Sequence, residues 1–134
     1  MILKGKKGII FGALDDKSIA WKVAEQCKAE GAEIVLTNAP TAFRLRGDQS
    51  ITALAEKLSC EAIPADATSL EDLENLISKS TEILGGKIDF VLHSIGMSLN
   101  IRKNKPYTDL NYSYMAKTID ISAMSFHKLI QTLW

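Results

Sequence analysis

The chain has 134 residues, enough for one domain of ordinary size, and its 16 Lys and Arg residues balance its 16 Asp and Glu residues. A net charge of zero leaves no global field to draw the protein to nucleic acid or an anionic membrane, so neither is expected as a partner. No apolar run approaches a transmembrane span, and the basic start leads into a run too short, and too soon followed by acids, for a secretion signal. The first apolar run, Ile9 to Phe11, is rich in β-formers and too short for a helix, which is how a parallel strand buried on both faces reads. Gly12 breaks it. After a short turn, Ser18 opens a helix over 18–30 with Ile19, Val23, Ala24 and Cys27 on one face and Gly31 as its stop. Strand, glycine turn and helix N-terminus together form an architecture that binds phosphate, because unpaired N–H groups and the positive end of the helix dipole point above the strand.

A second strand is predicted over 33–37, followed by a polar loop over 38–48 that holds Pro40, Arg44, Arg46 and Gly47. A helix over 49–58 carries Ile51, Leu54, Ala55 and Leu58 at helical spacing, and a third strand over 60–66 ends at Asp66. Thr68 with Glu71, and Ser69 with Asp72, both fit a helix-start signature. That helix runs to Leu84 with Leu70, Leu73, Leu76, Ile77 and Ile83 inward, and Gly85-Gly86 ends it. The fourth strand, over 88–96, closes on Ser94-Ile95-Gly96. A loop over 97–108 precedes a last helix, capped by Asp109, with Met115, Ile119, Ala123, Phe126, Ile130 and Leu133 inward. Four alternations of strand and helix without a hairpin signal specify right-handed βαβ units: an α/β fold, a doubly wound parallel sheet whose ligand lies at the carboxyl ends of the strands.

The last helix reaches Trp134 with no cap, and four parallel strands would leave a long apolar edge. The expectation is therefore a chain that stops in mid-fold, with residues 1–134 the N-terminal part of a single domain. Cys27 and Cys60 read as buried free thiols of a reducing cytoplasmic compartment, and no Cys/His cluster has metal spacing, so no metal is expected.

Two stretches carry a family resemblance. Gly12, five residues and then Ser18-Ile19-Ala20 resembles the divergent dinucleotide turn of the enoyl-acyl-carrier-protein reductases. His93-Ser94-Ile95-Gly96-Met97-Ser98 is similar to the motif at the end of their fourth strand, and Asp66 and Asp120-Ile121-Ser122 fit the same pattern. The similarity spans the chain but only the N-terminal half of the family, which belongs to the short-chain dehydrogenase/reductase group, with a Rossmann fold and a homotetrameric assembly.

The resemblance implies a cofactor site for NADH, with NADPH as a possible second. Gly12 would admit the pyrophosphate, and Ser18 and Ile19 would bind it through hydroxyl and N–H groups. Asp66 and Ala67 would hold the adenine, with Ala39 where many relatives carry a polar residue. Ser94, Ile95 and Gly96 would line the ribose and nicotinamide side, Ile121 would pack beneath the nicotinamide ribose, and Ser98 would lie near the acyl substrate. The implied activity is hydride transfer to the trans-2 double bond of an enoyl thioester in type II fatty-acid synthesis. Its carrier is the acyl carrier protein, and a tyrosine stabilises the enolate while a lysine holds the ribose.

The chain departs from the pattern in two places. The G-x-G-x-x-G fingerprint is absent, since only Gly12 is a glycine in the turn, and no tyrosine has a lysine seven residues on. No catalytic residue is therefore assigned within the chain. Arg102, Lys103 and Lys105 read either as a solvated loop or as a surface for an acidic carrier protein; His93 and His127 read as structural. A phosphate-loop NTPase is excluded, because Lys17-Ser18 follows Gly12 one residue too early and the second glycine is missing. The alternatives are a non-catalytic or regulatory nucleotide-binding protein and, in a different class, a signalling receiver module, whose acidic pocket Asp15, Asp16 and Asp66 mimic.

Overall fold

The computed structural model describes residues 1–134. The strands β1 (Lys7–Phe11), β2 (Glu33–Asn38), β3 (Glu61–Pro64) and β4 (Phe90–His93) form one parallel sheet in the order β3-β2-β1-β4. Ile9 of β1 pairs with Val35 on one side and Val91 on the other, so β1 is central. From β1 the chain winds outward through β2 to β3, then crosses back to place β4 on the other side. The crevice of such a sheet opens where the winding reverses, between β1 and β4.

Successive side chains of the strands face opposite ways, and each face has its own core. Ile10, Ile34 and Leu36 pack against α1 (Ile19–Ala29) and α2 (Ile51–Lys57) through Trp21, Ala24, Cys27, Ile51 and Leu54. Ile9, Phe11, Val35 and Ile63 pack on the other face against Leu73, Leu76 and Leu84 of α3 (Leu70–Leu84). Ile9, Ile10 and Phe11 are at most 1% exposed, and full burial of such side chains contributes about 1.5–3 kcal/mol each. Ser18, Ser50 and Ser69 cap the three helices, each hydroxyl accepting from a first-turn N–H. Of the two start signatures before α3, Ser69 is the one that caps.

The inward faces differ from the sequence expectation at the helix ends. Ile19, Leu70 and Ile83 are 75%, 44% and 48% exposed, on the solvent side of their helices, while Trp21, Ser80 and Leu84 take core positions. β3 stops at Pro64, tolerated on this edge strand because the ladder bond to β2 comes from the next residue, Ala65 N to Asn38 O (2.9 Å), and β4 stops at His93. The polar loop after β2 contains a 3₁₀ turn, Pro40–Arg44. Cys27 is buried as expected, but Cys60 is only partly so; burial pushes its thiol up to about 11.

The C-terminal helical stretch departs most. Its cap is Asn111 rather than Asp109, whose carboxylate lies near Arg102 and Lys105. α4 (Tyr112–Ile119) passes through a π turn, Asp120–Met124, into α5 (Ser125–Leu133). A π turn adds a residue to the spiral and rotates the helix beyond it. Ser125 and Leu129 are buried, whereas Ile119, Phe126, Ile130 and Leu133, all expected inward, are 37–51% exposed, the last three bordering the open side of β4 with Phe90 and Val91.

Candidate functional site

The site is built on the carboxyl ends of β1, β2 and β4. At Gly12 the chain turns with φ of 121°, and a Cβ there would collide with the Ser94 carbonyl. Gly12 is therefore needed where β1 and β4 leave the sheet almost touching, a role beyond the one its motif implies. Gly12 N donates to Thr37 O (3.0 Å) and Ser94 N to Phe11 O (2.9 Å), extending the ladder past the strands. Asn38 then latches the next turn: its Nδ2 donates to Ala13 O (2.8 Å) and its Oδ1 accepts from Ala39 N (2.7 Å).

Ser18 ties that turn to α1. Its hydroxyl donates to Asp15 O (2.8 Å) and accepts from Trp21 N (3.3 Å) and Leu14 N (3.4 Å). The Ser18 hydroxyl is thus engaged within the protein. The first intrahelical bond runs from Lys22 N to Ser18 O, which leaves the N–H of exposed Ile19 with no helical partner. It is this N–H, with the helix dipole behind it, that can meet an anion.

Two adjoining cavities of about 420 and 370 Å³ lie across the strand ends and share Asn38, Ala39, Thr41, Ile95, Met97 and Ile121. The first also includes Gly12, Ser94 and Gly96; the second includes Phe11, Asp66 and Ala67. The structure thus brings together eight of the residues expected for the cofactor. Ser18 and Ile19 stand at the neighbouring helix end, linked through Leu14. Ser98 lines neither cavity. Leu14, Asn38, Thr41 and Met97 belong to the cleft without a role assigned from the sequence; Asn38 had a cue in its place at a strand end and Met97 in its place within the motif after β4, while nothing marks Leu14 and Thr41.

Asp66 closes the far end. Its Oδ1 accepts from Thr68 N (2.9 Å) and Thr68 Oγ1 (2.7 Å), while its own N–H donates to Asp72 Oδ2 (2.8 Å). The turn is rigid, and the second carboxylate oxygen of this exposed residue is left for a ligand. At the near end Ser122 Oγ accepts from Met97 N (3.0 Å) and donates to Met97 O (3.1 Å), pinning the loop after Gly96. Ser125 Oγ donates to Ile121 O (2.6 Å), so it accepts from His93 Nε2–H (2.8 Å). His93 also packs edge-on against Phe126 at 5.4 Å, and burial holds its imidazole below the ordinary value of 6.5. It is a neutral structural residue, as expected from the sequence.

The lining suits a dinucleotide. Small residues Gly12, Ala39, Ala67 and Gly96 leave a flat channel, with hydrogen-bonding groups on Asn38, Asp66 and Ser94 and an N–H-bearing helix end beside it. Residues 12–134 match the protein family described as "Enoyl-(Acyl carrier protein) reductase". The chain belongs to the enoyl-(acyl carrier protein) reductase family. It is 36% identical over 126 residues to enoyl-[acyl-carrier-protein] reductase [NADH] 1 of Rhizobium meliloti (strain 1021), an alignment covering 93% of this chain and 44% of that one. It superimposes on the crystal structure of FabI from Alistipes finegoldii with a TM-score of 0.91 and 62% identity, over 98% of this chain and 49% of that one. The FabI–NADH complex from the same organism gives a TM-score of 0.90, again at 62% identity, over 98% of this chain and 45% of that one. The chain spans about half the length of the curated relatives it matches. Membership of the enoyl reductase family accounts for the turn at Gly12 and the Ser94-Ile95-Gly96 stretch meeting in one cleft.

Proposed function

We propose that this chain forms the cofactor-binding half of an NADH-dependent enoyl-[acyl-carrier-protein] reductase, residues 1–134 being the N-terminal part of a single nucleotide-binding domain. The observation that carries the reading is the convergence of Gly12, Ala39, Asp66, Ala67, Ser94, Ile95, Gly96 and Ile121 on one cleft, beside the N-terminus of α1. Bound there, the nicotinamide supplies the hydride that reduces the trans-2 double bond of an enoyl thioester. The chain's own contribution is binding and orientation. The Ile19 N–H and the α1 dipole meet the pyrophosphate, Asp66 and Ala67 take the adenine, and Ser94 to Gly96 and Ile121 align the nicotinamide end. Ser98, outside both cavities, sits one residue beyond Met97 and is the group we place toward the acyl substrate. The tyrosine–lysine pair that would stabilise the enolate is not among these residues.

NADH is the expected cofactor in preference to NADPH. Arg44 and Arg46 are exposed and line neither cavity, and Arg46 is folded back to donate to Phe43 O (3.2 Å), so no guanidinium waits beside Ala39 for a 2′-phosphate. The acyl carrier protein is the proposed substrate carrier, and a homotetramer in the cytoplasm the proposed state. Phe126, Ile130 and Leu133 border the open side of β4 with Phe90 and Val91, the side on which the remainder of the proposed domain would pack, and no helix is long and apolar enough to cross a membrane. Of the basic loop, Arg102 is engaged with Asp109 and stacked on Tyr114, and Lys105 pairs with the same Asp109, which leaves Lys103 as the side chain to meet an acidic partner.

The test is titration of the protein with both cofactors, followed by oxidation of NADH in the presence of a crotonyl thioester by the full-length enzyme. Tighter binding of NADH and consumption of it with the thioester are expected. Tenfold better kcat/KM with NADPH would overturn the cofactor assignment, and failure to bind either would overturn the function.

A further inference from the structure

Three polar side chains on the C-terminal helical stretch, Ser122, Ser125 and Lys128, recur every third residue and reach strand-end segments, the first two at the end of β4 and the third beyond β3. Ser122 holds Met97, Ser125 holds His93, and Lys128 Nζ donates to Thr68 O at 2.9 Å. Lys128 also donates to Asp120 Oδ1 at 2.8 Å, with its side chain only 27% exposed. Eight residues of helix rise about 12 Å, and the contact is possible because helical side chains lean toward the N-terminus, carrying the long lysine stem back over two turns.

The two partners of this ammonium belong to two segments, distant in sequence, that line the same cavity. Thr68 is the residue whose N–H and hydroxyl clamp Asp66, beside Ala67. Asp120 opens the π turn and is followed by Ile121, which lines both cavities. We infer that Lys128 is a positioning residue for the cofactor, a cationic brace that fixes the Asp66–Thr68 turn relative to Ile121 across the 60 residues that separate Thr68 from Lys128. The inference rests on the proposed cofactor site but names a residue that touches neither cavity. It has a physical basis in the charge: the carbonyl of Thr68 lies ahead of α3, where no helical N–H reaches it, and hydrogen bonds from a charged donor are stronger than neutral ones. A methionine of similar length would fill the space and leave both oxygens without this donor.

The experiment compares the protein with its Lys128→Met and Lys128→Arg variants by amide hydrogen exchange without cofactor, and by titration with NADH and with AMP. In Lys128→Met the Thr68 and Ser69 amides should exchange faster, and NADH and AMP affinity should each fall about fivefold to tenfold, less than the full loss of one charged hydrogen bond because the bond acts on the site through the turn. Lys128→Arg, which keeps a donor to both oxygens, should restore exchange and affinity, a rescue that mere filling of space would not need. Unchanged exchange and unchanged affinity in a folded Lys128→Met protein would overturn the brace. If Lys128→Met fails to fold, Asp120→Asn tests the same link, with the same directions expected at smaller amplitude and an unchanged affinity overturning it. A parent protein that binds neither NADH nor AMP refutes the proposed function instead, while the exchange comparison still decides whether Lys128 fixes the turn.

Discussion

Replacing Gly12 by alanine should be among the most damaging single-methyl changes available in this chain. Two costs combine. A φ of 121° is a conformation that L side chains rarely adopt, worth about 1–3 kcal/mol of strain. The new Cβ would also displace the Ser94 carbonyl, disturbing the bonds from Ser94 N to Phe11 O and from Gly12 N to Thr37 O, each worth about 1 kcal/mol. The loss should reach about 4 kcal/mol, a large part of the 5–15 kcal/mol typical of a domain. Gly47→Ala is the control, since Gly47 has a φ of 98° but nothing within 4 Å of its would-be Cβ, so only strain applies. Urea unfolding followed by the fluorescence of Trp21, which is 4% exposed, measures both. At a slope of about 2 kcal/mol/M the midpoint for Gly12→Ala should fall by about 2 M, and that for Gly47→Ala by about half as much. Equal losses in the two variants would refute the contact between the ends of β1 and β4 as the source of the requirement.

Further outcomes concern Ser18, His93 and Asp89. Ser18→Ala should cost about 1 kcal/mol of stability by removing the α1 cap. Ser18→Glu, which sets a carboxylate against the expected pyrophosphate, should abolish NADH binding, and unchanged affinity in the folded variant would move the phosphate elsewhere. His93 should make stability fall with acid. Its pKa is held below 6.5 in the folded state by burial, so the unfolded chain binds more protons, and stability is lost as pH drops from about 6.5 toward the folded value. Thermal unfolding between pH 5 and 8 of the parent and of His93→Gln should show this slope in the parent only. Asp89, lowered chiefly by the N–H of Lys7, loses its contribution in a separate window, below its ordinary 3.8.

Much of this arrangement is legible in the residues. The apolar runs at Ile9 and Ile34 mark strands because both faces of a parallel sheet are covered, and Ser18 marks a helix start because its side chain can replace a missing acceptor. The strand ends then converge by topology alone. The face of the last helix was not legible: the period assigned through residues 112–133 puts Phe126 and Ile130 inward, whereas Ser125 and Leu129, one position earlier, hold the buried face, and Phe126 and Ile130 border the open side of β4. Asp109 misleads for a related reason, since a residue fit to cap is drawn off by Arg102 and Lys105 from the same loop. Side chains such as Met97 and Leu14 enter the cleft through backbone turns that no residue type announces.

The strand order has a kinetic consequence for the cleft. Gly8 meets Ile34 through a short βαβ crossover, but it meets Phe90 only after most of the chain has been made and folded back; Lys7 and Asp89, bonded beside that pair, are 82 residues apart. Closing a loop about three times longer costs about 1 kcal/mol more in chain entropy, and such distant contacts slow folding. The wall formed by β1, β2 and α1 should therefore assemble first and the wall formed by Ser94 to Gly96 last, with the same order reversed on opening. Pulse-labelled exchange should find the amides of Ile10 and Gly12, on the β2 side of β1, protected before that of Ser94, which donates to Phe11 O. A ligand that spans both walls would then act as a clasp on the latest-forming contact of the domain.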